Sequence, residues 1–402
     1  MKKLFVKDEL RILGLFYIER FIAHSMYFAP AFLVIFFNRT LSLTQIGVLF
    51  SALAIATFIF EVPTGAFADI FGRKTSTLFA YLMTGMLMPL FIVIHNFYLL
   101  LVLFSLWGIF GTFYSGAREA WTIDNLKYYK RENLIESYYL KEYSLMRLGM
   151  FLSGLLGAFL VARLGINIIW IFASLSWIIS LFILLPIKEH KLTKESHFKK
   201  VTFKQLYQQS KEAISYSLRH ATLIFILLAT FFIMFRDSFG GPLVWQPFLQ
   251  GLGAPVYIFG FLFSASMLLG SIVPIIATPL LKKCKSEKNY LMLLLIIGML
   301  LNFTVIFIDS FVIGIIVMLA ILFLIDLSMP VGDAFTQKFI PSKTRATILS
   351  FKSVIISLAY AISYPIAGFI ADTLGTQNTI VFGGSFLVPA IYFYSKINVK
   401  KK

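Results

Sequence analysis

Charged side chains are scarce in this chain of 402 residues: only 14% are Asp, Glu, Lys or Arg, whereas soluble proteins carry about 25%. Hydrophobic residues make up 59%, and the mean hydropathy is +0.84. This composition excludes a soluble enzyme and a disordered chain, and it indicates a protein that crosses a membrane many times. Cys284 is the only cysteine, which excludes structural disulfides and argues against a cysteine-ligated metal site.

Motifs for catalysis are also missing from the sequence. It contains no nucleotide-binding loop, no histidine spacing typical of a metal site and no nucleophile motif. We therefore predict that the protein is not an enzyme, does not use ATP, and needs neither a metal nor a cofactor.

Long apolar runs dominate the sequence, and a membrane-spanning helix needs about 20 such residues. The runs predict an all-α membrane protein with 12 transmembrane helices in a lipid bilayer. They lie at about 10–37, 45–68, 75–95, 98–121, 138–163, 166–187, 220–249, 255–281, 289–308, 311–338, 345–372 and 378–395.

Positive charge alternates between the loops. Of the 36 Lys and Arg residues, 29 lie in the termini and even-numbered loops, two lie in odd-numbered loops, and five lie inside spans. The positive-inside rule then predicts that both termini are cytoplasmic. This distribution also accounts for the net charge of +17, so we expect no nucleic-acid partner.

Internal similarity divides the chain into two halves. The three matches pair Gly47–Ala52 with Gly260–Ala265, Glu119–Asp124 with Asp333–Lys338, and Gly157–Gly165 with Ala367–Gly375, at offsets of 213, 214 and 210. Two parallel repeats around a central substrate are a transporter architecture. We predict six-helix bundles at 1–187 and 220–402, joined by a cytoplasmic linker at 188–219 with an amphipathic helix, in a monomeric protein.

The loop after the second span reads Gly65-Ala-Phe-Ala-Asp69-Ile-Phe-Gly72-Arg73-Lys74. It resembles the G-x-x-x-D-x-x-G-R-K signature of the major facilitator superfamily, at the expected place. Two further stretches, Glu61–Thr64 and Ser115–Asp124, resemble a bacterial branch of drug and small-molecule exporters. The resemblance implies alternating access in the plasma (inner) membrane of a bacterium.

In that family the signature loop is part of a cytoplasmic latch. We expect Gly65 to allow a close helix contact and Gly72 a tight turn. Asp69 is expected to cap the helix that starts near Arg345. Arg73 is expected to pair with Asp124, unless it is only a positive-inside charge. The predicted latch residues are Gly65, Asp69, Gly72, Arg73 and Asp124.

Charges inside spans are costly and are therefore functional candidates. Glu19 and Asp237 are the leading candidates for a proton site, although each could instead form a permanent ion pair with an arginine. Arg20 and Arg147 could bind an anionic substrate group or neutralise Glu19 or Glu61. The predicted cavity residues are Glu19, Arg20, Arg147, Arg236, Asp237, Asp326, Trp107 and Tyr114.

Other charges lie near the predicted cytoplasmic ends of spans and are expected to form gate pairs. These gate residues are Glu61, Arg118, Glu119, Asp333 and Lys352. Asp372 lies at the opposite end of its span and is expected to be a cap or surface residue. The stretch Leu106–Gly111 lacks the arginine that family antiporters carry in span 4, which weakens the prediction of proton-driven export.

Two functions remain open after these arguments. The first is a secondary transporter that exports lipophilic or amphipathic small molecules, with the proton gradient as its energy source. The second is a dedicated importer, exchanger or lipid transporter for one polar or amphiphilic metabolite. A membrane-embedded enzyme is disfavoured because the motifs for it are missing.

Overall fold

The computed structural model describes residues 5–190, 220–340 and 345–397, without the side chains of 345–347 and 350. Within these ranges the chain forms α-helices and two short 3₁₀ turns, and no strand. The all-helical prediction is confirmed. The predicted amphipathic helix of the 188–219 linker lies outside the described residues.

The first nine helices follow the predicted order of apolar runs. They are α1 (Glu9–Ser25), α2 (Ala29–Phe37), α3 (Leu43–Phe71), α4 (Arg73–Leu87), α5 (Leu90–Val93), α6 (Phe97–Tyr114), α7 (Ala117–Tyr128), α8 (Ile135–Leu164) and α9 (Ile168–Leu184).

The later helices are arranged in a similar way. They are α10 (Ala221–Gly240), α11 (Pro242–Gly251), α12 (Ile258–Ser271), α13 (Val273–Cys284), α14 (Glu287–Thr304), α15 (Phe311–Gln337), α16 (Arg345–Leu374), α17 (Thr376–Ser385) and α18 (Leu387–Lys396).

Among the described residues, nine helical segments are long and apolar enough to cross a membrane, and α12 with α13 makes a tenth if that bent pair is one span. The runs predicted at 166–187 and 378–395 form shorter helices: α9 has 17 residues, and α17 and α18 have 10 each. The count of 12 spans therefore stays a prediction.

Several of the predicted spans are each broken into two helices, among them the first and the seventh. The run at 10–37 divides between α1 and α2, and the run at 220–249 divides between α10 and α11. Proline lies in the first turn of both second helices, as Pro30 and Pro242. Since proline has no N–H to continue a preceding helix but fits a first turn, it marks both breaks.

The described residues form two compact units. The first unit comprises those of 1–40, 52–197 and 255–267, and the second comprises those of 41–51, 198–254 and 268–402. The units follow the predicted halves except that a short segment near the start of α3 packs with the second unit, and one around the start of α12 packs with the first.

Each unit has its own apolar core. In the first unit α1 packs on α8 and α9, and α4 packs on α6 and α9. Phe16, Tyr81 and Trp121 are fully buried there. In the second unit α10 packs on α16 and α18, and α14 packs on α15, around Tyr290 and Leu294.

Tight helix crossings in the two units use residues that are equivalent in the internal repeat. In the first unit a Cβ on Gly260 of α12 would clash with the carbonyl oxygen of Gly154 in α8. In the second unit a Cβ on Gly47 of α3 would clash with the carbonyl oxygen of Tyr364 in α16. Glycine lets these backbones approach closely.

A serine one turn after each crossing glycine fixes the contact. Ser264 Oγ donates to the carbonyl oxygen of Phe151, and Ser51 Oγ donates to that of Ala361, both over 2.6 Å. The two serines are 213 residues apart, and their acceptors are 210 residues apart. The repeat found in the sequence is therefore a repeat of backbone contacts.

Candidate functional site: a charged cavity in the first unit

A cavity of about 480 Å³ opens between α1, α7 and α8 of the first unit. Its wall combines charged side chains with aromatic ones. The lining residues are Arg20, Tyr114, Ser115, Gly116, Arg118, Glu119, Tyr139, Leu140, Glu142, Tyr143 and Met146. Of the predicted cavity residues, the structure therefore brings Arg20 and Tyr114 to this wall.

A turn between α6 and α7 positions the central arginine of this site. Gly116 adopts a φ of +66°, which favours glycine because it lacks a Cβ. The chain therefore leaves α6 and begins α7 at once, so Arg118 lies in the first turn of α7. The Arg118 side chain points inward and is only 5% exposed.

Arg118 is held by two carboxylates from different helices. Its Nε and Nη2 donate to Oε2 of Glu19 over 2.9 and 2.6 Å, and its Nη1 donates to Oε1 of Glu142. Nη2 also donates to the carbonyl oxygen of Phe16 over 3.2 Å. A buried arginine must be paired in this way, because an uncompensated charge in an apolar interior is strongly destabilising.

Both oxygen atoms of the buried Glu19 carboxylate accept hydrogen bonds. Tyr81 Oη donates to its Oε1 over 2.8 Å, and its side chain is 1% exposed. Glu19 thus forms the ion pair with an arginine that was one of its two predicted roles. The partner is Arg118, which had been predicted as a gate residue.

Arg20 contacts the same network from α1. Its Nε lies 3.2 Å from Oε1 of Glu142, and its side chain is 25% exposed. This Nε is buried and has no aligned hydrogen-bond acceptor among the described residues. Glu142, which the sequence analysis did not single out, therefore joins Arg20 and Arg118.

Two other predicted cavity residues lie away from this wall. Trp107 packs in an aromatic cluster, with its ring centroid 5.6 Å from that of Phe104. Arg147 Nε donates to Tyr143 Oη over 3.0 Å, and its guanidinium lies over the Tyr143 ring. Tyr143 is a lining residue, so Arg147 is one layer removed from the cavity.

The second unit has a smaller and more apolar cavity of about 240 Å³, and Arg236 and Asp237 line it. Arg236 Nη2 donates to Asn302 Oδ1 over 2.9 Å, and Tyr360 Oη donates to Asp237 Oδ2 over 3.1 Å. Arg236 and Asp237 thus bind different partners. Asp326 is partly buried on α15 and does not line this cavity.

The signature loop has the predicted turn and the predicted ion pair. Gly72 has a φ of +105°, and Arg73 Nη1 donates to Asp124 Oδ2. Glu189, which the sequence analysis missed, accepts the backbone N–H groups of Arg73 and Lys74 over 2.7 and 3.2 Å. It therefore caps the N-terminus of α4. The only signal for Glu189 was an acidic residue directly after an apolar run.

The expectations for Gly65 and Asp69 in the signature loop have different outcomes. The close helix contact expected at Gly65 is wrong for the described residues, because a Cβ there would meet no atom within 4 Å. Gly65 lies on an exposed stretch of α3 that includes Asp69. The side chain of Arg345 is outside the described residues, so a cap by Asp69 near it stays a prediction.

The predicted gate residues separate into different environments. Lys352 Nζ donates to Asp333 Oδ1 over 2.9 Å in the second unit. Glu119 is exposed and lines the charged cavity, whereas Arg118, beside it in the sequence, is buried. Glu61 is exposed on α3. Only Asp333 and Lys352 pair with each other among these five residues.

Asp372 has the predicted capping role. Its carboxylate accepts the backbone N–H groups of Leu43 and Thr44 over 3.0 and 2.8 Å, and the Thr44 hydroxyl over 2.6 Å. It thus caps the N-terminus of α3.

No group of three or more His, Cys, Asp or Glu residues that could hold a metal ion occurs in the described ranges.

Long apolar helices that enclose ionised side chains are typical of a polytopic membrane protein with a functional site between its helices. The profile of the Major Facilitator Superfamily matches residues 15–328, and the chain belongs to that superfamily. Its members are carriers and not enzymes, and the protein is accordingly a multi-pass membrane transporter of the bacterial type that carries small molecules.

Individual relatives agree with this assignment. The chain is 24% identical over 375 residues to the uncharacterized MFS-type transporter YxaM of Bacillus subtilis (strain 168), covering 92% of this chain and 91% of YxaM. A mutant of the nucleoside transporter NupG has a similar fold, with a TM-score of 0.78, 12% identity, and coverage of 96% of this chain and 100% of that one.

A bacterial homolog of the human lysosomal transporter Spinster is also similar in fold. Its TM-score is 0.70 at 15% identity, over 96% of this chain and 95% of that one. The peptide transporter PepTSo of the POT family has a TM-score of 0.69 at 12% identity, over 96% of this chain and 97% of that one. At such identities the likeness concerns the fold alone.

Proposed function

We propose that the protein is a secondary active transporter that exports lipophilic or amphipathic small molecules across the plasma membrane of a bacterium, in exchange for protons. The observation that carries this proposal is the cavity of about 480 Å³, whose wall combines charged side chains with the apolar and aromatic ones of Leu140, Tyr143 and Met146, as an amphipathic cargo requires. Cavities of about 300–1,000 Å³ are typical of small-molecule sites.

The proposal includes a membrane topology and a transport mechanism. Twelve spans form two six-helix bundles at 1–187 and 220–402, with both termini in the cytoplasm and the protein as a monomer. The two bundles alternately open the substrate site to each side of the membrane. The latch would include Asp69 and the Arg73–Asp124 ion pair, and the gate would include the Asp333–Lys352 pair.

Coupling to protons would use the carboxylates predicted for it, Glu19 and Asp237. Glu19 shares Arg118 with Glu142. A proton on Glu19 would remove its charge and leave Arg118 with Glu142 alone. Protonation of Glu19 would thus change the net charge around the Arg118 guanidinium, which lines the cavity wall. The effect is expected to be large because charge pairs interact strongly at low dielectric.

The test uses a bacterial host that lacks its own efflux pumps. Expression of the protein is expected to protect the host against chemically unrelated toxic compounds, and a proton uncoupler is expected to abolish the protection. Glu19→Gln and Asp69→Asn should both lose protection when the variants are compared at matched amounts of folded protein in the membrane. Glu136→Gln is the matched control, because Glu136 is exposed at the start of α8 and does not line the cavity.

The alternative function, a dedicated carrier for one polar or amphiphilic metabolite, is favoured by the density of charge on the cavity wall. Neighbours in fold include transporters of nucleosides and peptides. If the protein reaches the membrane but protects against no compound, export of toxic molecules is contradicted. Uptake of labelled nucleosides, peptides and lipids into proteoliposomes would then test the alternative.

A further inference from the structure

Glu142 occupies an unusual position, because one of its oxygen atoms faces two arginines. Oε1 accepts from Arg118 Nη1 and lies 3.2 Å from Arg20 Nε. We propose that Glu142 binds a positively charged group of the transported molecule, and that this group takes the place of Arg20. The inference rests on the proposed transport function and specifies the cargo as an organic cation.

The two arginines differ in how firmly they are held. Arg118 donates to Glu19, to Glu142 and to the carbonyl oxygen of Phe16, and its side chain is 5% exposed. Arg20 has a longer ion pair with Glu142, and its side chain is 25% exposed at the cavity wall. Displacing Arg20 therefore breaks one misaligned contact, whereas displacing Arg118 would break several aligned hydrogen bonds.

The charges at the cavity wall balance, but they are not equally accessible. The lining contains Arg20, Arg118, Glu119 and Glu142, and Glu19 and Arg147 lie one layer behind it, so three carboxylates face three guanidinium groups. Both lining arginines contact Glu142, whereas Glu119 is exposed. The exposed charge of the wall is therefore negative, and it attracts a cation.

Aromatic rings on the same wall suit the body of such a cation. Tyr114, Tyr139 and Tyr143 line the cavity. The face of an aromatic ring attracts a cation, and the gain rises when the cation is desolvated. Arg147 already lies over the Tyr143 ring from behind the wall, with its Cζ 5.4 Å from the ring centroid, so Tyr114 and Tyr139 are the rings proposed to receive the cargo.

The experiment compares two ions of nearly the same shape and opposite charge, tetraphenylphosphonium and tetraphenylborate. The full-length protein is reconstituted in nanodiscs, and binding is measured by equilibrium dialysis of the labelled ions against empty nanodiscs. We expect saturable binding of tetraphenylphosphonium that tetraphenylborate does not displace. Preferential binding of tetraphenylborate, or saturable binding of neither ion, would overturn the proposal.

Two variants change the affinity in opposite directions. Glu142→Gln should weaken tetraphenylphosphonium binding at least tenfold, because it removes the counter-ion. Arg20→Gln should strengthen it by about tenfold, which corresponds to about 1.4 kcal/mol, because it removes the competing cation. Arg20→Gln leaves the partners of Arg118 in place, so it keeps the test decisive even if Glu142→Gln does not fold.

Glu136→Gln is again the control and should bind like the wild type. Binding that is unchanged in both Glu142→Gln and Arg20→Gln would refute the proposal. Transport is measured separately, in proteoliposomes with an imposed pH gradient. Binding with the expected variant pattern but without transport would refute the proposed function and leave the cation site standing, whereas proton-driven transport of neutral compounds alone would do the reverse.

Discussion

Replacing Glu19 by Gln should destabilise the first unit strongly. The substitution leaves an oxygen that can accept from Tyr81, but it puts an uncharged amide against the Nε and Nη2 of Arg118. Arg118 is 5% exposed, so water cannot replace the lost carboxylate. Removing one partner of a buried ion pair costs about 3–5 kcal/mol when the other charge is left uncompensated. Because Glu142 still pairs with Arg118, we expect a loss near the lower end, about 3 kcal/mol.

The assay is a double-mutant cycle on the purified protein in nanodiscs. Thermal unfolding is followed for the wild type, Glu19→Gln, Arg118→Met and the double variant. Because Glu19→Gln leaves Arg118 with Glu142 alone and Arg118→Met leaves Glu19 without its cation, the double variant should be less destabilised than the sum of the two, by about 2 kcal/mol or more. Glu136→Gln, at an exposed position, should stay within about 0.5 kcal/mol of the wild type.

The reasoning would be refuted by two results. The first is a Glu19→Gln variant as stable as the wild type, since the Glu19–Arg118 pair would then contribute nothing. The second is strict additivity in the cycle, since the two residues would then not interact. A variant with normal stability and lost proton coupling would instead make Glu19 a titrating residue and not a structural partner.

Three smaller effects follow from contacts elsewhere in the chain. Asp372→Ala removes the cap of α3 and should cost about 0.5–2 kcal/mol in thermal unfolding; an unchanged unfolding temperature would contradict the cap. Ser51→Ala and Ser264→Ala each remove one hydrogen bond to a backbone carbonyl and should cost about 1 kcal/mol each, and clearly unequal losses would contradict their equivalence. Glu189→Gln should increase amide hydrogen exchange in the first turn of α4, which it caps; unchanged exchange there would show that the cap does not stabilise this turn.

Several contacts could be predicted because a motif fixes both partners. Gly72 and Arg73 are part of the signature loop, and Asp124 ends the stretch that resembles the exporter branch. The turn and the ion pair both occur. Asp372 was predictable in kind, since an acidic residue at the end of a span has few roles besides capping, but its donors, the backbone N–H groups of Leu43 and Thr44, were not.

The charged network could not be predicted, because its members are distant in the sequence. Arg118 lies 99 residues from Glu19 and 24 from Glu142. Glu142 follows Lys141 near the start of the apolar run predicted at 138–163, where a charge looks like an ordinary loop residue. Only the packing of α1, α7 and α8 brings these side chains together.

The expectation that Arg118 and Glu119 act together as gate residues illustrates a second limit. Consecutive residues of a helix point about 100° apart, so neighbours in the sequence seldom share a partner. Arg118 accordingly points to α1 and α8, and Glu119 is exposed at the cavity mouth. Charge and position in the sequence drew attention to both residues but did not assign their partners.

The internal repeat includes the helix-packing contacts but not the charged residues of the candidate site. The crossing glycines Gly47 and Gly260 are equivalent, because close backbone contact admits no other residue in either half. The charged network is not repeated. At offsets of 210–214, Glu19 corresponds to 229–233, which contains no acidic residue, and Arg118 corresponds to 328–332, which contains no basic one. Repeat-equivalent contacts thus constrain both halves, whereas the charges that would recognise a substrate are free to differ. In this chain the network of two carboxylates and two arginines belongs to the first unit.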